Sequence, residues 1–537
     1  MAALFCLALG ARLIPLFVSP LPYNTDGFPT AKIAEQIGAS GQWTIDPTDV
    51  NVEDVKVPGT FLLLSAAAQL AALNPLLHAQ VLFPILAATI VAPVYLIGVR
   101  GTGRRAVGLA AGCFMAIYGS FLFLTSVPMK ETIGLVLLPA TVLLVHERGD
   151  PRKRGIAMIL LLLLIFVDYL TLFMAMGMAA SLVFLTHARG LSEHRFSPRA
   201  LALDFATIGV PLFVAWNYYS AVNLFYFSEF SSEAGLVVLL AAGAVLLILL
   251  LRRWKPSSAR STRGFVSPWA ILLGGAFLAA ILVLGSPSEV FEDTPQIRPL
   301  FQVILPAFIV LAGFAFIGYR FVRRMGGYLN DLAVSMLATP LVLILFGFAF
   351  NRIYLSFRII SRSVDFVDFA FALLAGLGLA LAVARFRYNR SAGVGLAAAF
   401  VVALLVTTPI AYDPSQLFGV ETATTPQEFQ ALQLIASLGA KNVLCDLRLC
   451  TVAHSYFGLG ANFRLPLWIR DQTPILGYDY AIVLERWTTV GATMFPLATV
   501  VLDQLALDSF LSANRIVYVF GTTGDRTYVV RMPDASS

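Results

Sequence analysis

About thirteen apolar stretches, each near the roughly 17 to 25 residues that a hydrocarbon core about 30 Å thick requires, run from Met1 to Ala411 with charged loops between them. The pattern predicts membrane-spanning helices near residues 1–20, 78–98, 107–125, 131–147, 155–168, 170–187, 201–220, 234–251, 268–285, 299–318, 330–350, 364–384 and 391–411. Gly155 to His187 is too long for one span and is interrupted by Asp168 and Tyr169, so it reads as a helical hairpin with Asp168 at its outer tip. Gly59 to Leu73 is too short to span and reads as a helix lying in the interface or dipping part-way into the membrane. The first outer segment, residues 21–77, is then long and structured, with helical periodicity through Ala31, Ile33, Ala34 and Ile37.

After Ala411 the pattern changes. The segment TPQEFQALQLIASLGAKNVLCDL reads as a helix opened by Thr425 and Pro426, a turn at Gly439 and a short strand, and YAIVLER, RIVYVFG and TYVVRM read as further strands, with GTTGD as a hairpin turn. The expected fold is an α-helical polytopic membrane region over 1–411 and a small α/β domain over 412–537.

Composition agrees: 58% of residues are hydrophobic and 13% charged, against about a quarter charged in soluble chains. Sidedness follows from the basic residues. Arg100, Arg104 and Arg105, then Arg148, Arg152, Lys153 and Arg154, then Arg189, Arg195 and Arg199 open a series continued at 252–263, 320–324 and 385–390. All fall on one side if the N-terminus is cytoplasmic, which leaves the C-terminal domain extracytoplasmic on a cell membrane. Beyond the first long segment, the outer loops keep only Lys130, Arg298, Arg352, Arg358 and Arg362. The net charge of +6 therefore reports topology, and no nucleic-acid partner is expected. Met1 to Pro20 lacks the basic start and small-residue cleavage pattern of a signal peptide and is kept as a span. Arg12 within it needs either a longer chain upstream or a polar cavity. Arg12 and Asp168 apart, the spans read as apolar, with the acids gathered at the outer surface.

Cys445 and Cys450 lie in the outer tail, where a local disulfide could form. There is no CxxC pair, no HExxH and no histidine cluster; no Walker-type or GxGxxG loop stands between a strand and a helix. The five histidines read as interfacial or, for His454, structural. No internal repeat is visible, which tells against the commonest secondary-transporter plan.

Several short segments resemble the polytopic GT-C glycosyltransferases. NTDGFPTAKIAEQIGASGQW follows the first span with an acidic residue and an amphipathic helix. KVPGTFLLL (Lys56 to Leu64) is similar to a Pro-Gly element before the second span, TSVPMKETIGLVLL (Thr125 to Leu138) falls where the family places its second acidic motif, and FRIISRSVDFVDFAFALLAGLGLA (Phe357 to Ala380) resembles the late arginine-bearing loop. Thirteen spans with an outer C-terminal domain is also the plan of the oligosaccharyltransferase catalytic subunits, and Asn514 to Met532 resembles the end of the outer domains in archaeal and bacterial relatives. The tail has no WWDYG-like motif, so asparagine glycosylation is not implied. The resemblance points instead to single-subunit enzymes that move one sugar from a polyprenyl-phosphate donor, among membrane lipids, to a protein, lipid or cell-surface glycan acceptor. The alternative is a non-enzymatic lipid or polysaccharide transporter or assembly partner.

Such chemistry needs a carboxylate for the acceptor hydroxyl and cations for the phosphate. Asp26, directly after the first span, is the candidate base, against the plain reading of an acid favoured by a helix dipole. Glu131 is the candidate orienting group, or a ligand beside Asp26 for a divalent cation such as Mg or Mn; one carboxylate there, in place of a pair, weakens the metal. Arg358 and Arg362, four apart and against the positive-inside bias, are the candidate phosphate ligands with Lys130, the bland alternative being headgroup anchors. The outer acids Glu289, Glu292 and Asp293 read as solvated loop charge.

Overall fold

The computed structural model describes all residues except 47, 193–196, 225–296, 326, 350–352, 387, 413–422, 476, 495–497 and 534–537. Among the described residues, six helical stretches are long and apolar enough to cross a membrane: Pro75–Thr102, Tyr169–Gly190, Pro198–Ala221, Pro306–Arg323, Arg362–Arg385 and Arg390–Tyr412. A pair bent by 60°, Arg105–Ile117 with Gly119–Ser126, makes up to seven. The protein is a multi-pass membrane protein. The expected spans at 234–251 and 268–285, and the loop with Glu289, Glu292 and Asp293, lie outside the described residues.

The first helices in chain order are α1 (Ala2–Val18), α2 (Gly27–Ser40), α3 (Val52–Val55), α4 (Gly59–Ala71), α5 (Pro75–Ala88), α6 (Val91–Thr102), α7 (Arg105–Ile117), α8 (Gly119–Ser126), α9 (Lys130–His146), α10 (Pro151–Val167), α11 (Tyr169–Ser192) and α12 (Pro198–Ala221). Then come α13 (Ile297–Met325), α14 (Gly327–Ala349), α15 (Ile353–Arg385), α16 (Arg390–Thr407) and α17 (Pro409–Tyr412). Helix α4, with 13 residues, is below spanning length. The chain breaks at Asp168, which is extended between α10 and α11, but Asp168 is 1% exposed and so is enclosed at the hairpin tip. Helices α13 and α15 cross at glycines: a Cβ at Gly378 would lie 1.8 Å from the carbonyl oxygen of Phe314, and one at Gly318 2.0 Å from that of Leu374. Small residues let helices approach where lipid supplies no hydrophobic drive.

The break between α7 and α8 explains Arg12. Tyr118 is extended, which leaves last-turn carbonyls of α7 without intrahelical donors. Arg12, fully buried, donates to the carbonyls of Ala116 at 3.1 Å and Met115 at 3.0 Å and to Thr125 Oγ1 at 3.0 Å. The polar surroundings it needs are thus backbone oxygens and a hydroxyl.

The expectation that the spans are otherwise apolar is corrected: Asp204, Asp331 and Asp368 are buried on helices α12, α14 and α15. Asp204 is held by Arg148 at 2.7 Å, His187 at 2.8 Å and Arg154 at 3.1 Å, and Asp331 pairs with Arg189. Single acids vanish in a window average, and buried charges persist when paired.

In the C-terminal region, α18 (Pro426–Ser437) opens with a capping box in which Thr425 and Glu428 exchange bonds. A five-stranded sheet follows in the order β2-β1-β3-β7-β6, from β1 (Asn442–Leu444), β2 (Gly460–Asn462), β3 (Tyr480–Leu484), β6 (Arg515–Phe520) and β7 (Thr527–Arg531), while β4 (Ala492–Met494) and β5 (Ala498–Val500) pair with each other. β1 lies parallel to β2 and β3, while β7 is antiparallel to β3 and β6. Gly521 and Gly524 supply the positive φ that the β6–β7 turn requires. Cys445 and Cys450 form a disulfide. This region rests on α2: Phe28 stacks on Phe429 with centroids 5.7 Å apart, Tyr456 donates to Glu35 Oε1 at 2.8 Å, and Asn51 Nδ2 donates to the carbonyl of Ser455 at 2.9 Å.

Candidate functional site

The site is built where three chain segments meet. Gly27 packs so closely that an added Cβ would lie 2.5 Å from Pro22 and 3.3 Å from Pro128, which brings the start of α2 against the loop leading to α9. Asp26 immediately precedes α2 and makes no side-chain cap to it. Arg362 Nη2 lies 3.7 Å from Asp26 Oδ2, and Arg362 Nη1 lies 3.3 Å from Glu131 Oε1. One guanidinium therefore joins two carboxylates from segments far apart in sequence. Asp26 is half exposed at 48%, whereas Glu131 at 16% and Arg362 at 18% are largely enclosed.

Lys130, the neighbour of Glu131, donates to Asp54 Oδ1 at 2.7 Å and lies over the Tyr169 ring, 5.6 Å from its centroid. The outer segment around α3 is fixed above it by further contacts: Lys56 bonds Glu53 at 2.5 Å and the carbonyl of Asn223 at 2.8 Å, and Tyr218 donates to the carbonyl of Lys56 at 2.8 Å. Met129 is extended and gives α9 no side-chain cap, so the positive end of the helix dipole lies beside Lys130 and Glu131.

Of the five predicted site residues, Asp26, Glu131 and Arg362 come together, with Lys130 adjoining. The backbone at Arg358 is helical, as its spacing from Arg362 requires; its side chain lies outside the described residues.

Sequence reasoning left three acids out of the site. Asp365 and Asp368 follow Arg362 at three and six residues on α15. Asp365 lies within electrostatic reach of Arg362 and Glu131, and Asp368 of Asp365. Asp368 is 6% exposed and its Oδ2 has no hydrogen-bond partner. Asp168 accepts from the Thr171 amide at 2.9 Å and its hydroxyl at 2.5 Å, and lies within electrostatic reach of Glu131 and Lys130. The signal was present: an acid inside an apolar run is functional by default, and RSVDFVDF carries two.

The Arg362 guanidinium stands between Asp26 and Glu131, where a divalent cation held by both would sit, and among the described residues no group of three histidine, cysteine or acidic side chains could hold a metal.

No protein-family model matches the chain, and no curated protein matches it in sequence. The solved structures it resembles are GT-C glycosyltransferases. They include the archaeal oligosaccharyltransferase AglB from Archaeoglobus fulgidus in complex with an inhibitory peptide and a dolichol-phosphate, at 12% identity over 90% of this chain and 69% of that one, TM-score 0.47. ArnT from Cupriavidus metallidurans bound to undecaprenyl phosphate is 13% identical over 99% of this chain and 98% of that one, TM-score 0.37. The arabinofuranosyltransferase AftD from Mycobacteria is 13% identical, covering 99% of this chain and 40% of that one, TM-score 0.47. At such scores the likeness is loose, and the chemistry has to be argued from this chain's own residues.

Proposed function

We propose that this chain is a membrane glycosyltransferase that moves a sugar from a polyprenyl-phosphate-linked donor to an acceptor hydroxyl at the outer membrane face. The observation that carries the reading is the Asp26–Arg362–Glu131 constellation, with Lys130 beside it. A transferase of this kind needs a base and an anion site within one substrate's reach, and here the candidate base and the candidate phosphate ligand touch. Asp26, the more exposed acid, takes the proton of the acceptor hydroxyl as its oxygen bonds to the anomeric carbon. The bond from that carbon to the phosphate oxygen breaks, and the polyprenyl phosphate leaves with the electron pair. Its charge is received by Arg362, whose planar fork suits phosphate oxygens, by Lys130 and by the α9 amino end. Glu131 orients Arg362. The C-terminal region, packed on α2 immediately after Asp26, is placed to dock the acceptor.

The test uses the purified protein in nanodiscs with a C55 polyprenyl phosphate and its glycosylated form. The parent should bind the lipid phosphate, and Arg362→Ala should weaken binding about tenfold or more, since charge-assisted bonds contribute about 1.5–3 kcal/mol each. Asp26→Asn should retain binding while donor turnover with added cell-envelope acceptors falls by about 10² to 10⁴. A parent that binds no polyprenyl phosphate, or an Asp26→Asn variant that turns over at the parent rate, overturns the reading.

A further inference from the structure

The tip of the α10–α11 hairpin, the start of α9 and the start of α4 meet in one buried seam. At the tip, the amide and hydroxyl of Thr171 donate to Asp168 Oδ2 at 2.9 and 2.5 Å. Helix α9 seats against that joint, since a Cβ at Gly134 would lie 2.4 Å from Thr171 Oγ1. Helix α4 closes another side: a Cβ at Gly59 would lie 2.7 Å from the carbonyl oxygen of Phe166 and 3.2 Å from Val167 Cγ2. Leu64, one turn beyond Thr60 on the same face of α4, shares a buried apolar cluster with Ile133 and Val167, so Thr60 is turned toward the seam. Asp168 is 1% exposed and Thr60 0%. Among the described residues neither Asp168 Oδ1 nor Thr60 Oγ1 has a hydrogen-bond partner. Enclosing polar atoms unpaired is costly, most of all for a carboxylate oxygen, and folded proteins keep few of them without a use.

We infer that Asp168 and Thr60 form the subsite for the donor's sugar, with Asp168 Oδ1 accepting from one ring hydroxyl and Thr60 Oγ1 bonding a second polar atom of the same ring. This rests on the functional reading above and assigns the part of the donor which that reading left without a partner. Three observations select a sugar. Asp168 lies within electrostatic reach of Lys130 and Glu131, so it stands beside the start of α9, where the phosphate is received and where a ring joined to that phosphate must lie. An ionised carboxylate oxygen only accepts, whereas a hydroxyl both donates and accepts, so the pair calls for a ligand that carries hydroxyls. A second anion would be repelled by Asp168, while a neutral hydroxyl gains a charge-assisted bond from it. The ring arrives from the side of Lys130 and Glu131, whose side chains keep 14% and 16% exposure. A site whose enclosed polar atoms are satisfied only by the right hydroxyls rejects a ring that lacks them, because those atoms then stay unpaired. Asp168 and Thr60 therefore determine specificity, and the proton transfer stays with Asp26.

The test sets two kinds of carrier against each other on one protein. The full chain in phosphatidylcholine nanodiscs is titrated at equilibrium with bare C55 polyprenyl phosphate and with its mannosyl, glucosyl and ribosyl forms, and the quantity read is the ratio of glycosylated to bare affinity. The ratio cancels what a variant does to the phosphate site, including the tighter phosphate binding expected when a nearby carboxylate is neutralised. In the parent at least one sugar should raise affinity about tenfold or more over the bare carrier. Asp168→Asn keeps an oxygen for Thr171 but turns Oδ1 into an amide donor, and should lower that ratio about tenfold. Thr60→Val, alike in shape without the hydroxyl, should lower it about threefold, and Thr60→Ser, which keeps the hydroxyl, should preserve it. A ratio unchanged in both Asp168→Asn and Thr60→Val, or a parent that gains nothing from any of the three sugars, overturns the subsite; the functional reading stands as long as the bare carrier binds. A Thr60→Ser variant that falls as far as Thr60→Val overturns it in favour of packing. Should Asp168→Asn not elute as a monodisperse protein, the Thr60 pair decides alone. A parent that binds none of the carriers overturns the functional reading and the subsite together.

Discussion

Replacing Arg12 by methionine removes a side chain that bonds the break between α7 and α8. Arg12 donates to the carbonyls of Met115 and Ala116, oxygens at the C-terminal end of α7. Within a membrane span no water takes its place. The cost of inserting an arginine is common to packed and separated helices and cancels from the packing equilibrium. What remains is two enclosed carbonyls deprived of charged donors, about 1–3 kcal/mol each or about 2–6 kcal/mol together. The assay is thermal unfolding in one detergent, alongside Thr125→Val, which removes the hydroxyl that accepts from Arg12 at 3.0 Å and donates to the Phe121 carbonyl at 2.7 Å and should cost about 1 kcal/mol. Arg12→Lys keeps the charge but loses the fork and should fall between. The chain needs the break to be maintained, because α8 runs through Val127 and Met129 directly into Lys130 and Glu131. The variant can recover its carbonyls by letting α7 and α8 run on as one helix, and that would carry both site residues away, so polyprenyl-phosphate binding should fall together with stability. An Arg12→Met protein that melts and binds as the parent does would show that the break is fixed by other contacts.

Three further outcomes are expected. Gly134→Ala places a Cβ 2.4 Å from Thr171 Oγ1, so α9 must shift and drag Lys130 and Glu131; stability should drop by about 1–3 kcal/mol and donor turnover with it, whereas Gly149→Ala, with nothing within 4 Å, should match the parent. Glu428 is enclosed; burial alone would raise its carboxyl, but Arg448 and Arg486 hold it below the ordinary range, so its stabilisation is complete above the unfolded value of about 4.3 and is lost only as pH falls through the lower folded value. Glu428→Gln should therefore cost about 3–5 kcal/mol at neutral pH and flatten the acid limb of C-terminal unfolding followed by Trp fluorescence. A reporter fused after Ser537 should read as extracytoplasmic and one inserted at Gly149 as cytoplasmic; an inward C-terminus would mean that the span count or the sidedness is wrong.

The sequence was most legible where a repeated pattern carried the signal. Apolar runs marked the helices, the interruption at Asp168 and Tyr169 marked the hairpin, and Thr425 with Pro426 marked the start of a helix whose capping box the structure contains. Glycine-rich turns likewise gave the β6–β7 hairpin. Single residues were less legible. Asp204, Asp331, Asp365 and Asp368 each sit in a run whose average hydropathy they barely change, and the partners of the first two come from far along the chain, as Arg148 does for Asp204 across 56 residues. Arg12 was visibly out of place in its span, yet the carbonyls that hold it belong to a break at Tyr118 that no proline or glycine run announces. Asp26, Glu131 and Arg362 could be nominated by residue type and position. Their meeting around one guanidinium could not, because it depends on how Gly27 abuts Pro128 and on which face α15 turns inward.

Among the described side chains, Lys56, Lys130 and Arg362 share a physical account. Lys56 bonds Glu53, Lys130 bonds Asp54, and Arg362 stands between Asp26 and Glu131. Each is largely enclosed, at 10%, 14% and 18% side-chain exposure in that order, and an enclosed cation needs an acid or several acceptor oxygens beside it. A headgroup anchor has different needs: it stays exposed and takes its counter-charge from the lipid. On this ground Arg362 and Lys130 are poor anchors, and their placement has to be explained from within the protein. Lys130 is explained by its short bond to Asp54, which ties the outer segment to α9. Arg362 stands between two carboxylates of unlike exposure, Asp26 at 48% and Glu131 at 16%. A cation so placed, beside the uncapped end of α9, suits the phosphate of the proposed donor.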